Sequence, residues 1–206
     1  KAGPDAANGA AVKLNAANDL TVTEIATNGT ALGGNISLTA GDNISLGGNL
    51  TATGGTAAGG AVTLNATGTT IAATIIDSTG TGGDSPVIIT GTVEGSGGTL
   101  TIVANAANVT LAGAIGGNDA LALVDITTTG AATLRLGGSI TATDIELAAV
   151  TSAVVLTGDV TLTSTNNDVD LQLAAAGIDA TTAGIEGLAI STGSGDVSLP
   201  VVGTTA

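Results

Sequence analysis

Along most of the chain, apolar and hydroxyl residues alternate in short runs, and Asn or Gly separates one run from the next. The pattern is clearest from Gly33 to Gly55, GGNISLTAGDNISLGGNLTATGG. Here Ile36–Leu38, Ile44–Leu46 and Leu50–Ala52 each flank a hydroxyl with apolar residues, and each follows an Asn: Asn35, Asn43 and Asn49. A period of two predicts strands with one buried and one wet face. Three such strands joined by two tight turns predict one winding of a coil.

Variants of this unit recur throughout. Strands are predicted at Val12–Leu14, Leu20–Val22, Val62–Leu64, Ile71–Ile76, Val87–Thr90, Leu100–Ile102 and Val109–Leu111. More follow at Leu121–Leu123, Leu134–Leu136, Ile140–Ala142, Ile145–Leu147, Val154–Leu156, Val160–Leu162, Val169–Leu173, Leu188–Ile190 and Val197–Leu199. Aligning Val12, Ile36, Val62, Val87, Val109, Leu134 and Val160 gives steps of 24, 26, 25, 22, 25 and 26. A second set, Leu100, Leu121 and Ile145, steps by 21 and 24. Such a period with Gly and Asn at the corners is that of a β-solenoid. Helices are excluded by dense Gly and Thr and the lack of a 3.6-residue period. The competing architecture is a pair of β-sandwich domains, which would want some large core residues. The expectation is therefore one all-β solenoid segment over residues 1–206, with coils of roughly 22–26 residues and a loop insertion at 77–86, DSTGTGGDSP.

Composition narrows the core. Apolar residues make up 43% of the chain, yet Phe, Tyr, Trp, Met, Cys and His are all absent. A narrow, repeating aliphatic core needs no aromatics to fill irregular space. Gly, at 33 residues, is abundant but lacks the triplet period of collagen. The formal net charge is −14, with Lys1, Lys13 and Arg135 as the three cations. That charge excludes nucleic acid and anionic membrane as partners. No apolar run approaches the ~18 residues of a membrane-spanning helix. The chain opens on Lys1 rather than Met, as expected of a processed or excerpted sequence.

Three stretches carry a resemblance: Ile36–Ala40 with Ile44–Leu50, Leu100–Ala104 with Val109–Ile115, and Asp144–Ala149 with Val154–Val160. This pattern resembles the repeat region of filamentous-haemagglutinin-like secreted bacterial exoproteins and adhesins. The resemblance implies a right-handed parallel β-helix, export to the bacterial cell surface, and service as the shaft of an adhesin. No Asn-Pro-Asn-Gly-type secretion motif accompanies it, so an interior segment or another export route is implied.

Candidate chemistry is sparse. Without His, Cys or Tyr, the best candidate for a carboxylate pair is Asp168 and Asp170 in Asn166–Asp170, two apart on one expected outer face with nothing to complement them. Lyases built on parallel β-helices rely on clustered Lys/Arg with calcium, which three scattered cations do not supply. No catalytic, cofactor-binding or metal-ligating residue is therefore assigned, and the chain is expected not to be an enzyme. Gly113–Leu121 echoes a Gly/Asp-rich calcium repeat, and Gly80–Asp84 does so more poorly, but such sites need tandem copies. Asn-x-Ser/Thr sequons start at Asn28, Asn35, Asn43, Asn49, Asn65 and Asn108, where Asn also opens strands.

The expected function is structural: an extracellular shaft or filament subunit that associates end to end with itself or continues into further coils, with a cell-surface receptor as a possible partner. The alternative is ice binding. It rests on Thr21/Thr23, Thr51/Thr53, Thr141/Thr143 and Thr161/Thr163, whose steps of 30, 90 and 20 residues skip several coils.

Overall fold

The computed structural model describes residues 8–128, 131–147, 150, 153–165, 169–170, 177–182, 184–199 and 201–203. Among these there is no helix. The strands pair in parallel, each with a strand one coil away rather than with its neighbour in sequence. The chain is a β-solenoid with three flanks.

The first flank is an eight-stranded sheet that begins at Val12–Ala16. Its register stacks Val12, Ile36, Val62, Val87, Val109, Leu134, Val154 and Ile178, and an isolated bridge adds Val202. Two residues further along each strand, Leu14, Leu38, Leu64, Ile89, Leu111, Leu136 and Leu156 form a second column.

The second flank stacks Leu20, Ile44, Thr69 and Val93, then Ile115, Ile140, Leu162 and Ile190. The third stacks Ile25, Leu50, Ile76, Ile102 and Ile126. Beside it run Thr74, Leu100, Val124, Ile145, Val169 and Val197. In Leu121–Thr128 and Ile140–Glu146 one continuous strand serves both flanks. Two adjacent half-buried residues, Ala122–Leu123 and Thr143–Asp144, mark where the alternation reverses and the corner turns.

The inward columns form one aliphatic core of Val, Ile, Leu and Ala. Strand alternation points every second residue inward, and the shared register lays each on its counterpart in the next coil. No aromatic is needed because every layer has nearly the same cross-section.

The path of residues 78–86, within the 77–86 stretch expected as an insertion, leaves the third flank and returns to the first. It is the third member of a set rather than a lone excursion. Residues 27–35 and 52–61 make the same path, and bridges stack Gly29, Gly54 and Gly80. Each neck is pinched by a backbone bond: Gly34 N–H to Thr27 O at 2.7 Å, Gly60 to Ala52 at 2.6 Å, Ser85 to Ser78 at 3.2 Å. A Cβ on Gly33 or Gly59 would collide with the carbonyl of Ala52 or Ser78, respectively, so these necks require glycine. In the fourth coil the excursion is gone. Strand Thr99–Asn105 runs on, and Asn105 turns the chain at φ 38° toward Val109.

Two expected alignments shift. The first-flank column continues from Leu134 to Val154, a step of 20, and not to Val160, which pairs with Leu188 elsewhere. On the third flank, Leu100 aligns with Val124 and Ile145, whereas Leu121 faces Ala142. The reason is that corners vary in length while strands keep register, so equal spacing in sequence is not equal depth in the coil. The strand expected over Val169–Leu173 begins with Val169–Asp170, and residues 171–176 lie outside the described set.

Two substitutions test this core. Leu111 is 2% exposed, within the Leu column. Leu111→Asp is expected to lower stability by several kcal/mol, roughly 3 or more, by burying an uncompensated charge. Thr74 is also buried, and its Oγ1 has no hydrogen-bond partner. Thr74→Val is expected to raise stability by about 1 kcal/mol, since an orphaned buried hydroxyl costs about 1–3 kcal/mol. Denaturant unfolding of both variants checks the facing assignment: an unchanged Leu111→Asp midpoint would refute it.

Candidate functional surfaces

Several corner side chains reach from one coil to backbone N–H groups in the next. Asn35 Oδ1 accepts from Ala61 N at 2.9 Å, Asn49 from Ile75 at 2.9 Å, Asn108 from Thr133 at 2.8 Å and Asn28 from Thr53 at 3.0 Å. Asp19 Oδ1 accepts from the Asn43 N–H at 3.1 Å, and Asp159 from Gly187 at 2.8 Å. These acceptors serve donors at strand edges and corners, where the regular ladder gives way. The other two sequon asparagines bond between coils through side chains alone: Asn43 Nδ2 donates to Asp19 Oδ1, and Asn65 Oδ1 accepts from the Thr90 hydroxyl. Asn at strand starts is thus explained by coil-to-coil bonding.

The two calcium-like stretches are likewise occupied by internal bonds. Asp84 Oδ1 accepts from Gly80 N and its Oδ2 from Ala106 N, both at 2.9 Å. In the other stretch, Glu94 of the preceding coil holds the turn, accepting from Asn118 N at 3.1 Å and Asp119 N at 2.9 Å. Among the described residues no three carboxylates are grouped to hold a metal ion.

Of the expected carboxylate pair, Asp168 lies outside the described residues. Asp170 lies opposite Glu146, and Glu146 opposite Asp125, in one column on the third flank. Sequence reasoning missed this column because its members are 21 and 24 residues apart, a spacing that becomes adjacency only once the coil length is known. Partial burial raises the Asp125 carboxyl above the ordinary aspartate value.

The outward positions of the second flank carry hydroxyls in register. Thr21, Ser45 and Thr70 stack in the first three coils, and Thr141, Thr163 and Ser191 in later ones. The neighbouring positions Ser139 and Thr161 are joined by a bond from Thr161 N to Ser139 Oγ at 3.0 Å. Between the two runs, Glu94 and Gly116 replace the hydroxyls. Residues 117–120 leave the strand path there, between Ile115, opposite Ile140, and Leu121, opposite Ala142. Of the expected Thr pairs, Thr141/Thr143 and Thr161/Thr163 fall in successive coils but two residues out of register: Thr141 lies opposite Thr163, and Thr143 is at the corner. Thr51 sits on the third flank, opposite Asp77. Ser45, Thr70 and Ser191 were not legible because they complete the column without a Thr-x-Thr signature.

At the C-terminal end a cavity of about 220 Å³ is lined by Leu156, Ile178, Leu188 and Val202, with Asp179 and Glu186 on its wall. Hydrogen bonds, led by that from the Thr181 hydroxyl at 2.6 Å, hold the Glu186 carboxyl below the usual glutamate range. The described cations Lys13 and Arg135 fall in one outward column of the first flank, and Asp179 ends that column.

Because its folded-state pKa is raised, ionised Asp125 opposes folding. That cost is absent below the unfolded pKa, about 3.9, and grows as pH rises through the folded value. Asp125→Asn is therefore expected to be more stable than wild type at pH 7, with the two converging at about pH 3. Unfolding midpoints across that range check the sign; equal midpoints at pH 7 would contradict it. No protein-family model, curated protein or solved structure matches this chain.

Proposed function

We propose that this chain is a structural, non-catalytic rod: a shaft segment of a secreted bacterial adhesin, or a subunit of a cell-surface filament. The observation that carries this reading is the continuity of the core columns. Val12 to Val202 is one uninterrupted aliphatic stack on the first flank, and on the second the stack from Leu20 to Ile190 is broken by Thr69 alone. A repeat whose coils bond chiefly to their neighbours extends without limit at constant cross-section, as a shaft requires. Each coil adds about 4.8 Å, so the described coils span roughly 40 Å. The acidic, hydroxyl-rich exterior keeps such a rod soluble.

Surface display tests the reading. Antibody labelling and protease shaving of intact source cells are expected to find the protein outside the envelope, and small-angle scattering of the isolated chain is expected to give a rod profile. An intracellular location, or a spherical profile, would sink it.

The registered hydroxyls of the second flank favour a second reading, in which that face orders water against ice. Thr141 over Thr163 over Ser191, beside Ser139 and Thr161, forms a small regular hydroxyl array. The Glu94–Gly116 break confines it to a few coils, so the shaft reading expects no thermal hysteresis. Measured hysteresis that disappears in Thr141→Tyr/Thr163→Tyr would favour ice binding instead.

A further inference from the structure

We propose that Asn28–Gly29 is a self-modifying site: the backbone nitrogen of Gly29, once freed, converts Asn28 to aspartate and isoaspartate, and Thr53 of the next coil holds the pair unreactive. This rests on the coil pairing alone and is independent of where the rod is displayed.

Two demands of the fold place asparagine directly before glycine here. The Thr53 N–H is met by a side chain rather than a carbonyl, Asn28 Oδ1 at 3.0 Å. The following position lies where the first excursion folds back on itself. A Cβ on Gly29 would collide with the carbonyl of Leu32 and the amide nitrogen of Gly9, so the site requires glycine. In the sequence the dipeptide occurs at Asn8–Gly9 and Asn28–Gly29.

In an open chain Asn-Gly is labile, because glycine has no Cβ to hinder its own nitrogen from approaching the preceding side chain. The Gly29 nitrogen loses its proton and bonds to Asn28 Cγ. The bond from Cγ to Nδ2 breaks, and ammonia leaves. Water then opens the resulting five-membered imide. Opening at the side-chain carbonyl gives aspartate; opening at the main-chain carbonyl gives isoaspartate. The net change is amide plus water to carboxylic acid plus ammonia, with nothing oxidised or reduced.

In the folded chain one residue engages both reacting groups. Gly29 N–H donates to Thr53 O at 2.9 Å, which retains the proton that the nitrogen must lose. Asn28 Oδ1 accepts from Thr53 N–H, which ties the exposed side-chain amide to the second coil. Gly29 also lies in register opposite Gly54. Attack therefore waits for the first excursion to part from the second. That opening is local, because residues 27–35 contain a single large apolar side chain, Leu32, and little apolar burial holds them. Isoaspartate lengthens the main chain by one carbon and takes Gly29 out of register with Gly54, whereas aspartate keeps an acceptor for Thr53 and adds a charge.

The test follows Asn28 by peptide mapping and enzymatic isoaspartate methylation in the 206-residue chain carrying Asn8→Gln, which silences the other Asn-Gly pair. In mildly alkaline buffer the native chain is expected to deamidate at Asn28 at least ~ten-fold more slowly than the same chain unfolded in guanidinium. Gly54→Ala, whose Cβ would collide with the carbonyl of Ala58, loosens the second excursion without altering the reacting pair. It is expected to speed the native reaction. Leu156→Ala removes a buried side chain far along the first flank and is expected to leave the native Asn28 rate unchanged. Should Gly54→Ala fail to fold, hydrogen exchange at the Gly29 amide of the Asn8→Gln chain replaces it: below the unfolding transition, exchange and deamidation are expected to rise together with denaturant. Equal rates in the native and unfolded chains, or no reaction in the unfolded chain, would overturn the proposal. So would Leu156→Ala speeding the reaction as much as Gly54→Ala, or exchange at Gly29 rising without deamidation.

Discussion

Parallel coil-on-coil pairing at constant register is the constraint on which this structure depends. Once Val12–Ala16 lies beside Ile36–Ala40, each inward residue of one coil must sit on the inward residue of the next. The core is therefore not an irregular volume but a set of columns, each a few ångströms from the others. Small branched aliphatics fill such columns; an aromatic in one coil would demand accommodation above and below it. The absence of Phe, Tyr, Trp and Met follows from this geometry.

The corners pay for that regularity in different ways along the rod. Coils one to three send out glycine-walled excursions that stack on one another, with necks closed by backbone bonds and by the Thr27 and Ser78 hydroxyls. In the fourth coil, an extended third-flank strand and a left-handed Asn105 do the same work in fewer residues. Asn, Asp and Glu side chains then satisfy N–H groups that no strand reaches. The polar residues that sequence alone offers as sugar acceptors or calcium ligands are largely engaged in this coil-to-coil bonding.

What the outer surface presents is set by the same register. Hydroxyls spaced a coil apart become two short columns on the second flank, parted by Glu94 and Gly116. Acids spaced a coil apart become neighbours on the third. The described cations align on the first. None of these groupings is encoded as a local motif; each is a consequence of winding.

The alternation of Ile36–Leu38, Ile44–Leu46 and Leu50–Thr51, with Asn before and Gly after, determined by itself that the chain is all-β, which residues face inward and that coils repeat at about 25 residues. Those properties are local: they follow from side chains alternating across a strand and from corners that tolerate left-handed backbone. Only the tertiary structure decided the register. Val154 rather than Val160 continues the first column, and Val124 rather than Leu121 continues the third, because corner lengths change from coil to coil while hydrogen-bonded strands do not slip. The same winding decided that Asp125 and Glu146, or Thr70 and Ser45, are neighbours. Adjacency across a solenoid is a sum over every residue in a turn, and a single added or lost corner residue shifts it; no short stretch of sequence contains that sum.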